Sequence, residues 1–417
     1  QNEFFYAPPT GFVAMKTSEI NAPVASPKSY FDIKTWDGTY DDSMGSGTDS
    51  QTITGLDFQP AIIWVRSRTS EIGYGNYVFD SVMGFNQSAF NLDGDTYLNA
   101  QAIDNMNGYV GVTAVSSSGF TVDGAPEVNH KTDGFGFGSD TPEKYVGYCW
   151  KLGKTGSSST WSGSGTNPDT EHYNDESGVS VLKYDNSSGS LGSNLVLKHS
   201  LGKKPAFAVV FDGALGGMGD FEPNQADFYS EGHYCWHQHL DDNKYLKIDT
   251  NAAQSTWGGG DSSTAGNLTP FPSSGSTTTS FSIGDAINLN PMHVWLFAEI
   301  EGFSRFGFYH GRGNSPKYLP CGFKPRFTMI KRIDASNDWW IHDSERDGLE
   351  SGLSRMCEAN NSNAEKTAGT AGHKIDYNSN GIVIRNTANW DNNSSGKYIF
   401  MAFAHRPFKY ANGMGGA

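Results

Sequence analysis

Residues 58–66 read Phe58-Gln59-Pro60-Ala61-Ile62-Ile63-Trp64-Val65-Arg66, an apolar run that begins at an X-Pro step. Proline has no backbone N–H to donate, and it is tolerated at the first position of a strand, where no ladder hydrogen bond is lost. The residues that follow are apolar at odd and even positions alike, which is typical of a central strand covered on both faces. The run predicts a buried β-strand.

The same order of strand signals occurs three times along the chain. An X-Pro strand is followed by an aromatic strand, by a turn that leads into a short strand, and by a closing aromatic strand. The interval from the proline to the aromatic end of the closing strand is 90, 90 and 78 positions, measured between Pro60 and Trp150, Pro205 and Trp295, and Pro325 and Phe403. Agreement in order and spacing predicts three copies of one module.

The composition assigns the modules to the all-β class. The chain has 50 glycines, 13% aromatic residues and 18% charged residues, which favours many short strands joined by turns. Modules of this size without helices fit a two-sheet sandwich or jelly roll. The predicted division is an N-terminal segment at 1–28, modules at 29–153, 177–301 and 302–408, a Ser/Gly/Thr-rich flexible linker at 154–176 and a C-terminal tail at 409–417.

The charge balance narrows the range of partners. The formal net charge is −15, from 30 Lys+Arg and 45 Asp+Glu, whereas nucleic acids and anionic membranes attract basic surfaces. No apolar run approaches the roughly 18 residues of a membrane span. We therefore expect neither nucleic acid binding nor membrane insertion. The four cysteines form no CxxC pair, and we expect no disulfide framework.

The common catalytic patterns are missing from the sequence. There is no Gly-x-Ser-x-Gly elbow, no HExxH and no phosphate loop ending in Gly-Lys-Ser/Thr. The acid pairs 41–42 and 241–242 are sequence neighbours, which point to opposite faces of a strand and suit a glycosidase poorly. We expect no catalytic residue.

Aromatic residues in or beside Gly-rich segments are candidates for gripping a sugar, because a ring face stacks on the sugar while Asn and Asp side chains bind its hydroxyls. The strongest is Trp257, which shares a Gly-rich segment with Asp261, and Tyr229 and Trp390 are further candidates. Packing of these rings onto the module itself is the competing interpretation.

Two places carry candidate metal ligands. His237 and His239 stand two apart, so they would share a face if both lay on one strand. Asp334 and Asp338 flank a turn rich in oxygen ligands, where Ca²⁺ is conceivable although the spacing differs from an EF-hand. Exposed histidines and ordinary turn acids are the alternatives, and no other cofactor is expected.

Four stretches carry a resemblance to a known family, namely residues 6–12, 301–307, 322–332 and 398–412. They resemble tail-fibre or tail-associated proteins of aquatic tailed bacteriophages, with the strongest likeness in the third module and the weakest in the second. The resemblance implies concanavalin-like (lectin-like) jelly rolls and a homo-oligomer, with a trimer expected. It also implies that the protein is made in the host cytoplasm and located in the virion tail, and that residues 1–28 lead out of a preceding domain. It carries no catalytic residue to this chain.

Three functions follow as hypotheses. The first is recognition of a glycan or protein on the host surface, by a module of a virion appendage that also contacts other appendage proteins. Several weak sites on one particle would gain avidity there. The second is a structural role, in which the modules build or decorate an appendage or surface filament without a ligand. The third and least favoured is a polysaccharide-degrading enzyme, because no acid pair stands out.

Overall fold

The computed structural model describes residues 24, 26–40, 50–69, 75–85, 90–92, 111–123, 126–131, 142–184, 195–212, 233–256, 271, 276–284, 292–313, 315–348, 352–367, 374–385 and 390–407. Of these residues 52% lie in strands and 4% in helices, which confirms the all-β class. The described strands form six antiparallel sheets, and they fall into three pairs of a large and a small sheet. We call each pair a lobe.

The first lobe spans residues 31–150 and follows a 3₁₀ helix at Pro27–Ser29. Its elements are β1 (Phe31–Asp37), β2 (Gln51–Thr54), β3 (Ile62–Ser67), β4 (Asn76–Asp80), β5 (Phe90–Asn91), β6 (Val112–Ser116), β7 (Gly119–Val122), α1 (Pro126–Asn129) and β8 (Lys144–Trp150). The large sheet has the order β1-β8-β3-β4-β5, and the small sheet has the order β2-β7-β6.

The second lobe spans residues 154–298. Its strands are β9 (Lys154–Thr155), β10 (Thr170–Asn174), β11 (Val179–Tyr184), β12 (Leu195–Lys198), β13 (Pro205–Asp212), β14 (Tyr234–His237), β15 (Lys244–Lys247), β16 (Ser255–Thr256), β17 (Ser280–Ile283) and β18 (Met292–Ala298). The large sheet has the order β16-β15-β14-β13-β18-β11-β10-β9, and β12 pairs with β17 in the small one.

The third lobe spans residues 304–407. Its elements are β19 (Ser304–His310), β20 (Lys317–Pro320), β21 (Phe323–Arg332), β22 (Trp339–Asp343), α2 (Ser344–Asp347), β23 (Arg355–Glu358), β24 (Lys366–Thr367), β25 (Ile375–Asn378), β26 (Gly381–Ile384) and β27 (Lys397–Pro407). The large sheet has the order β19-β27-β21-β22-β23-β24, and the small sheet has the order β20-β26-β25.

The same three strands adjoin one another in every large sheet. The X-Pro strand lies between the closing strand and the aromatic strand, as in β8-β3-β4, β18-β13-β14 and β27-β21-β22. The second residue after each proline faces the closing strand in the pairs Ile62 with Trp150, Phe207 with Phe297, and Phe327 with Phe403. The counterpart of Trp150 in the second lobe is therefore Phe297, two positions beyond the Trp295 that the sequence spacing selected.

Alternate residues of the X-Pro strands point into two different cores. In β3, Ile63 and Val65 pack between the two sheets of the first lobe, while Ile62 and Trp64 point to the outer face of the large sheet. That outer face is buried too, because the large sheets of all three lobes share one hydrophobic cluster, which we call the central core. Burial on both faces agrees with the doubly apolar pattern of residues 58–66.

Three equivalent aromatic rings meet in the central core. The ring centroids are 6.1 Å apart for Trp150 and Phe297, 5.6 Å for Trp150 and Phe403, and 6.2 Å for Phe297 and Phe403. Near-equal distances between residues at one register position in three lobes indicate a pseudo-threefold axis through this point. The chain is therefore a ring of three lobes closed around a shared core.

The contacts between lobes, which we call seams, follow the same axis. Asp80, His237 and Asp343 end the aromatic strands at equivalent register positions. Each reaches the following lobe around the ring. Asp80 accepts a hydrogen bond from Trp295 Nε1 (2.9 Å), His237 packs 6.4 Å from the Phe306 ring, and Asp343 accepts one from Tyr148 Oη (3.0 Å).

The structure differs from the expected linker at 154–176. This stretch supplies β9 and β10, which extend the large sheet of the second lobe. The carboxylate of Glu171 in β10 is fully buried and accepts hydrogen bonds from Trp161 Nε1 (2.6 Å) and Ser180 Oγ (2.7 Å). The Ser/Gly/Thr composition of residues 154–176 predicts flexibility, but polar groups of this stretch bind one another within the lobe.

All four cysteines are buried and unbonded to each other.

Candidate functional site

The described part of the chain gathers several of the candidate residues around one turn. Residues 333–338, which we call the seam turn, connect β21 to β22. Its backbone is bound to the second lobe, because Gln254 N donates to Ile333 O (2.9 Å) and Asn337 N donates to Asn251 O (2.7 Å). The seam turn is thus held rigidly between the second and third lobes.

A buried lysine lies beneath the seam turn. Lys331 Nζ donates to Asn251 O (2.9 Å) and to Asn337 O, and it lies 5.9 Å from the centre of the Trp339 ring. Burial lowers the pKa of Lys331 to about 7, against the attraction of Asp338. Its ammonium therefore gives up its proton near neutral pH, although the amine keeps N–H groups to donate to both carbonyls.

An aromatic platform adjoins the same turn. Trp390 stacks on Trp340 with a centroid distance of 5.1 Å and an interplanar angle of 18°. Trp340 is buried, whereas Trp390 is half-buried and so partly open to solvent. The Asn337 amide ties the pair together, because its Oδ1 accepts from Trp340 Nε1 (2.9 Å) and its Nδ2 donates to Trp390 O (3.3 Å). Lys366 Nζ lies 5.1 Å from the centre of the Trp340 ring.

The two aspartates of the seam turn are engaged in hydrogen bonds. Asp334 accepts from Arg332 Nε (2.9 Å) and from Lys397 N (3.0 Å). Asp338 Oδ1 accepts from the Asn360 amide (2.9 Å). Among the described residues no group of three or more His, Cys, Asp or Glu side chains has the arrangement of a metal site. The contacts that these two carboxylates make in the structure thus stabilise the turn.

The two candidate histidines have different surroundings. Strand β14 ends at His237, so His239 lies in the following turn rather than on the same strand. His237 is buried with its ring 6.3 Å from Phe207, and its Nδ1 accepts from the backbone N–H of His239 (3.2 Å). Burial and the neighbouring His239 lower the pKa of His237 to about 3, so the ring is neutral. The contacts of His237 are those of a packing residue in a seam.

Tyr229, Trp257 and Asp261 lie outside the described residues. Described residues near them in the sequence, or paired with such residues, contact the seam turn or Trp339, which follows it. Gln254, three positions before Trp257, is the residue that binds Ile333. Ahead of β14, His233 O accepts from Ile248 N (3.0 Å), close to Lys247, whose carbonyl accepts from Trp339 Nε1 (3.0 Å). Of the four predicted ligand residues, the structure thus describes Trp390, whose carbonyl is bound by Asn337 of the seam turn. It also describes the predicted metal ligands Asp334 and Asp338.

Lys331 and Trp340 were missed by the sequence analysis, although a signal for the lysine was present. Lys331 and Arg66 are charged residues within otherwise buried strands and share one register position, four residues beyond Phe327 and Ile62. Each inserts into a neighbouring lobe, and Arg66 donates to Asn363 O. A cation at the same place in two repeats indicates a seam. Trp340 belongs to the predicted aromatic strand of the third module, and nothing in the sequence pairs it with Trp390.

Comparison with known proteins adds a family assignment. A family model described as a domain of unknown function (DUF7483) matches residues 26–407. No curated protein and no solved structure matches the chain. In the described residues, no helix has the length and apolar character needed to cross a membrane.

Proposed function

The chain belongs to the DUF7483 family of domains of unknown function, and from its own residues we propose that it is a glycan-binding module of a virion tail appendage that recognises the surface of a bacterial host. The observation that carries the proposal is the Trp340–Trp390 platform beside the seam turn. A half-exposed indole that is backed by a buried one offers a preformed face for a sugar ring.

The surroundings of the platform supply the polar groups that such a site needs. Asp338 is half-buried on the seam turn, and its carboxylate is oriented by a hydrogen bond of 2.9 Å from the buried Asn360 amide. A few fixed polar groups next to an aromatic face determine which sugar hydroxyls are accepted. We also propose Trp257 and Asp261 as glycan-binding residues, on the pattern of their sequence alone.

We further propose that the three lobes are three copies of one concanavalin-like jelly roll. The repeated neighbours β8-β3-β4, β18-β13-β14 and β27-β21-β22 support a common origin. A homotrimer, which the family resemblance implies, would have to use surfaces other than the outer faces of the large sheets. Those faces already form the central core within one chain.

A second candidate function is purely structural, and the closed ring favours it. The ring buries the apolar faces of its three large sheets without any partner, which suits a rigid unit that spaces or decorates an appendage. A chain that binds no host cell or glycan but assembles with other appendage proteins would support this role over the first.

We propose no catalytic function for this chain. A glycosidase needs two carboxylates that face one substrate. Here Glu171 is surrounded by hydrogen-bond donors of its own lobe, Asp80 is bound by His293 and Trp295, and Asp343 by Tyr148 and Arg346. Release of reducing ends from host polysaccharide would contradict the proposal.

The platform can be tested with glycan arrays and host-cell binding. Trp390→Ala should weaken glycan binding about 10-fold or more, the loss expected for a central aromatic contact. Tyr318→Ala is the matched control, since Tyr318 is an aromatic residue of the same lobe that is 46% exposed and lies in the small sheet. Equal binding by both variants and by the unmodified chain would refute the platform as the site.

A further inference from the structure

Each seam joins two different faces of neighbouring lobes. One lobe contributes the end of its aromatic strand, such as Asp343, and the next lobe contributes its closing strand, such as Tyr148 in β8. An interface between two unlike patches is heterologous, and it forms a closed ring when the rotation between units returns to the start. Here three lobes complete the circle within one polypeptide.

The third lobe is joined to the rest of the ring by one short connection. Residues 299–303 link β18 to β19, and Gly302 adopts a φ of +74°, which permits a tight turn there. The turn is held by a hydrogen bond from Ile300 N to Ser304 Oγ (3.0 Å) and by burial of Phe303. The first and third lobes are connected only through the second, so their seam is closed by non-covalent contacts alone.

Charged pairs give this closing seam, between the first and third lobes, its specificity. Arg326 Nη1 lies 2.7 Å from Asp32 Oδ1, and the Asp32 carboxylate is fully buried. Arg68 forms two parallel hydrogen bonds to Glu365, at 2.9 and 3.1 Å. Paired charges in a buried interface select a partner of matching charge and reject one of like charge. The seam therefore recognises a third lobe by its charges, whichever chain that lobe belongs to.

We propose that the closing seam also forms between two copies of this chain, by exchange of their third lobes. Each ring of such a dimer contains the first and second lobes of one copy and the third lobe of the other. The charge pairs of the closing seam are regained, while the turn at residues 299–303, which carries the buried Ile300 and Phe303, must extend. This inference concerns assembly and stands independently of the proposed glycan site.

Mass action sets the conditions for the exchange. Within one chain, the short connection gives the third lobe an effective concentration of roughly millimolar order or more, so the 45.3 kDa monomer predominates in dilute solution. After the ring is opened by denaturant at high protein concentration, refolding allows the seam to close between copies. Weakening the seam alone would not favour dimers, because monomer and dimer contain the same seam contacts.

Charge reversal separates the two forms. Asp32→Arg places two arginine side chains and the nearby Lys34 together, and Arg326→Asp places two aspartates beside Glu345, so each variant alone has a mismatched closing seam. In a lobe-exchanged dimer of D32R with R326D, one seam has the native pair and the other has the reversed pair. Co-refolding the two variants should therefore yield a heterodimer of twice the monomer mass by light scattering, in clear excess over either variant alone.

The double variant D32R/R326D is the control, since it restores opposite charges within one chain and, refolded at the same concentration, should give the same small dimer fraction as the unmodified chain. If the double variant refolds while the mixture of single variants gives only monomer or aggregate, the proposal is overturned. Should the double variant not fold, the unmodified chain provides the test. Isotopically heavy and light copies refolded together at high concentration should give dimers of mixed mass in native mass spectrometry, and the absence of any dimer would overturn the proposal.

Discussion

Phe403 is the side chain through which the three lobes should stabilise one another. It is fully buried, and its ring lies within 6.2 Å, between centroids, of six other aromatic rings from all three lobes. These rings are Phe31, Trp150, Phe297, Phe303, Phe306 and Phe327. Phe403→Ala removes a full ring from this buried site, so we expect a large cavity.

The expected loss can be estimated from the contacts. Replacing a buried Phe by Ala costs about 3–5 kcal/mol in typical cores. Aromatic pairs add about 0.5–1.5 kcal/mol each beyond burial, without strict additivity. We therefore expect Phe403→Ala to lower the free energy of unfolding by about 4–5 kcal/mol or more. Phe403→Leu should cost less than half as much, because leucine retains most of the apolar volume.

Urea unfolding followed by tryptophan fluorescence and by far-ultraviolet circular dichroism measures this loss. The unmodified chain should unfold in one transition that both probes report alike, because the central core joins the lobes into one cooperative unit. Phe403→Ala should shift the whole transition to lower urea. Phe281→Ala, a control inside the second lobe with its ring near Trp236 and Phe271, should shift it as well.

The refuting result is specific. If the lobes unfold independently, the unmodified chain will show separate transitions, Phe281→Ala will move only one of them, and Phe403→Ala will leave at least two midpoints in place. That pattern would show that each lobe is stable by itself and that the central core is only a contact surface between lobes. The ring would then not be one cooperative folding unit.

Three further predictions concern buried ionisable groups. Because the pKa of His237 is lowered to about 3 in the folded chain, the unfolded chain binds more protons below pH 6.5, and the folded state loses stability as the pH falls. The free energy of unfolding, measured by urea titration, should therefore decrease between pH 7 and pH 5, and His237→Leu should remove about 2 kcal/mol of that decrease. The pKa of Lys331, lowered to about 7, has the corresponding effect in the alkaline range: stability should rise by about 1–2 kcal/mol from pH 7 to pH 8.5, and in Lys331→Met this rise should be absent from the same titration. Arg346→Met should cost about 3–5 kcal/mol in urea unfolding at pH 7, because it leaves the carboxylates of Asp343 and Glu365 buried without their shared partner, and a loss below 1 kcal/mol would contradict this role.

The strands were predictable because their burial follows local patterns. Residues 58–66 are apolar at successive positions, and β3 is buried on both faces. The stretch 154–176 was misjudged for the opposite reason, since its stability comes from hydrogen bonds such as that of Trp161 to Glu171, which composition does not reveal. Local sequence thus predicts a strand where the pattern of apolar residues shows which side chains are buried. It fails to predict a strand that is stabilised by hydrogen bonds between its polar side chains.

The arrangement of the lobes could not be predicted from the sequence. The rings of Trp150, Phe297 and Phe403 are separated by more than 100 positions along the chain, and each reads as an ordinary sandwich residue. The site shows the same limit. Trp390 is an aromatic residue near Asn and Asp in the sequence, but its partner Trp340 lies in a separate predicted strand, and only the fold brings the two rings into contact.

The pseudo-threefold ring has a consequence for how this protein can change over evolutionary time. In a trimer of identical subunits, every substitution is repeated three times around the axis, and a change that suits one position must be tolerated at all of them. A single chain is free of that constraint. Asp80, His237 and Asp343 already occupy equivalent positions with different chemistry. Two lobes can preserve the frame while the remaining one diversifies, so a division of labour is open to this chain that a symmetric assembly cannot reach by single substitutions.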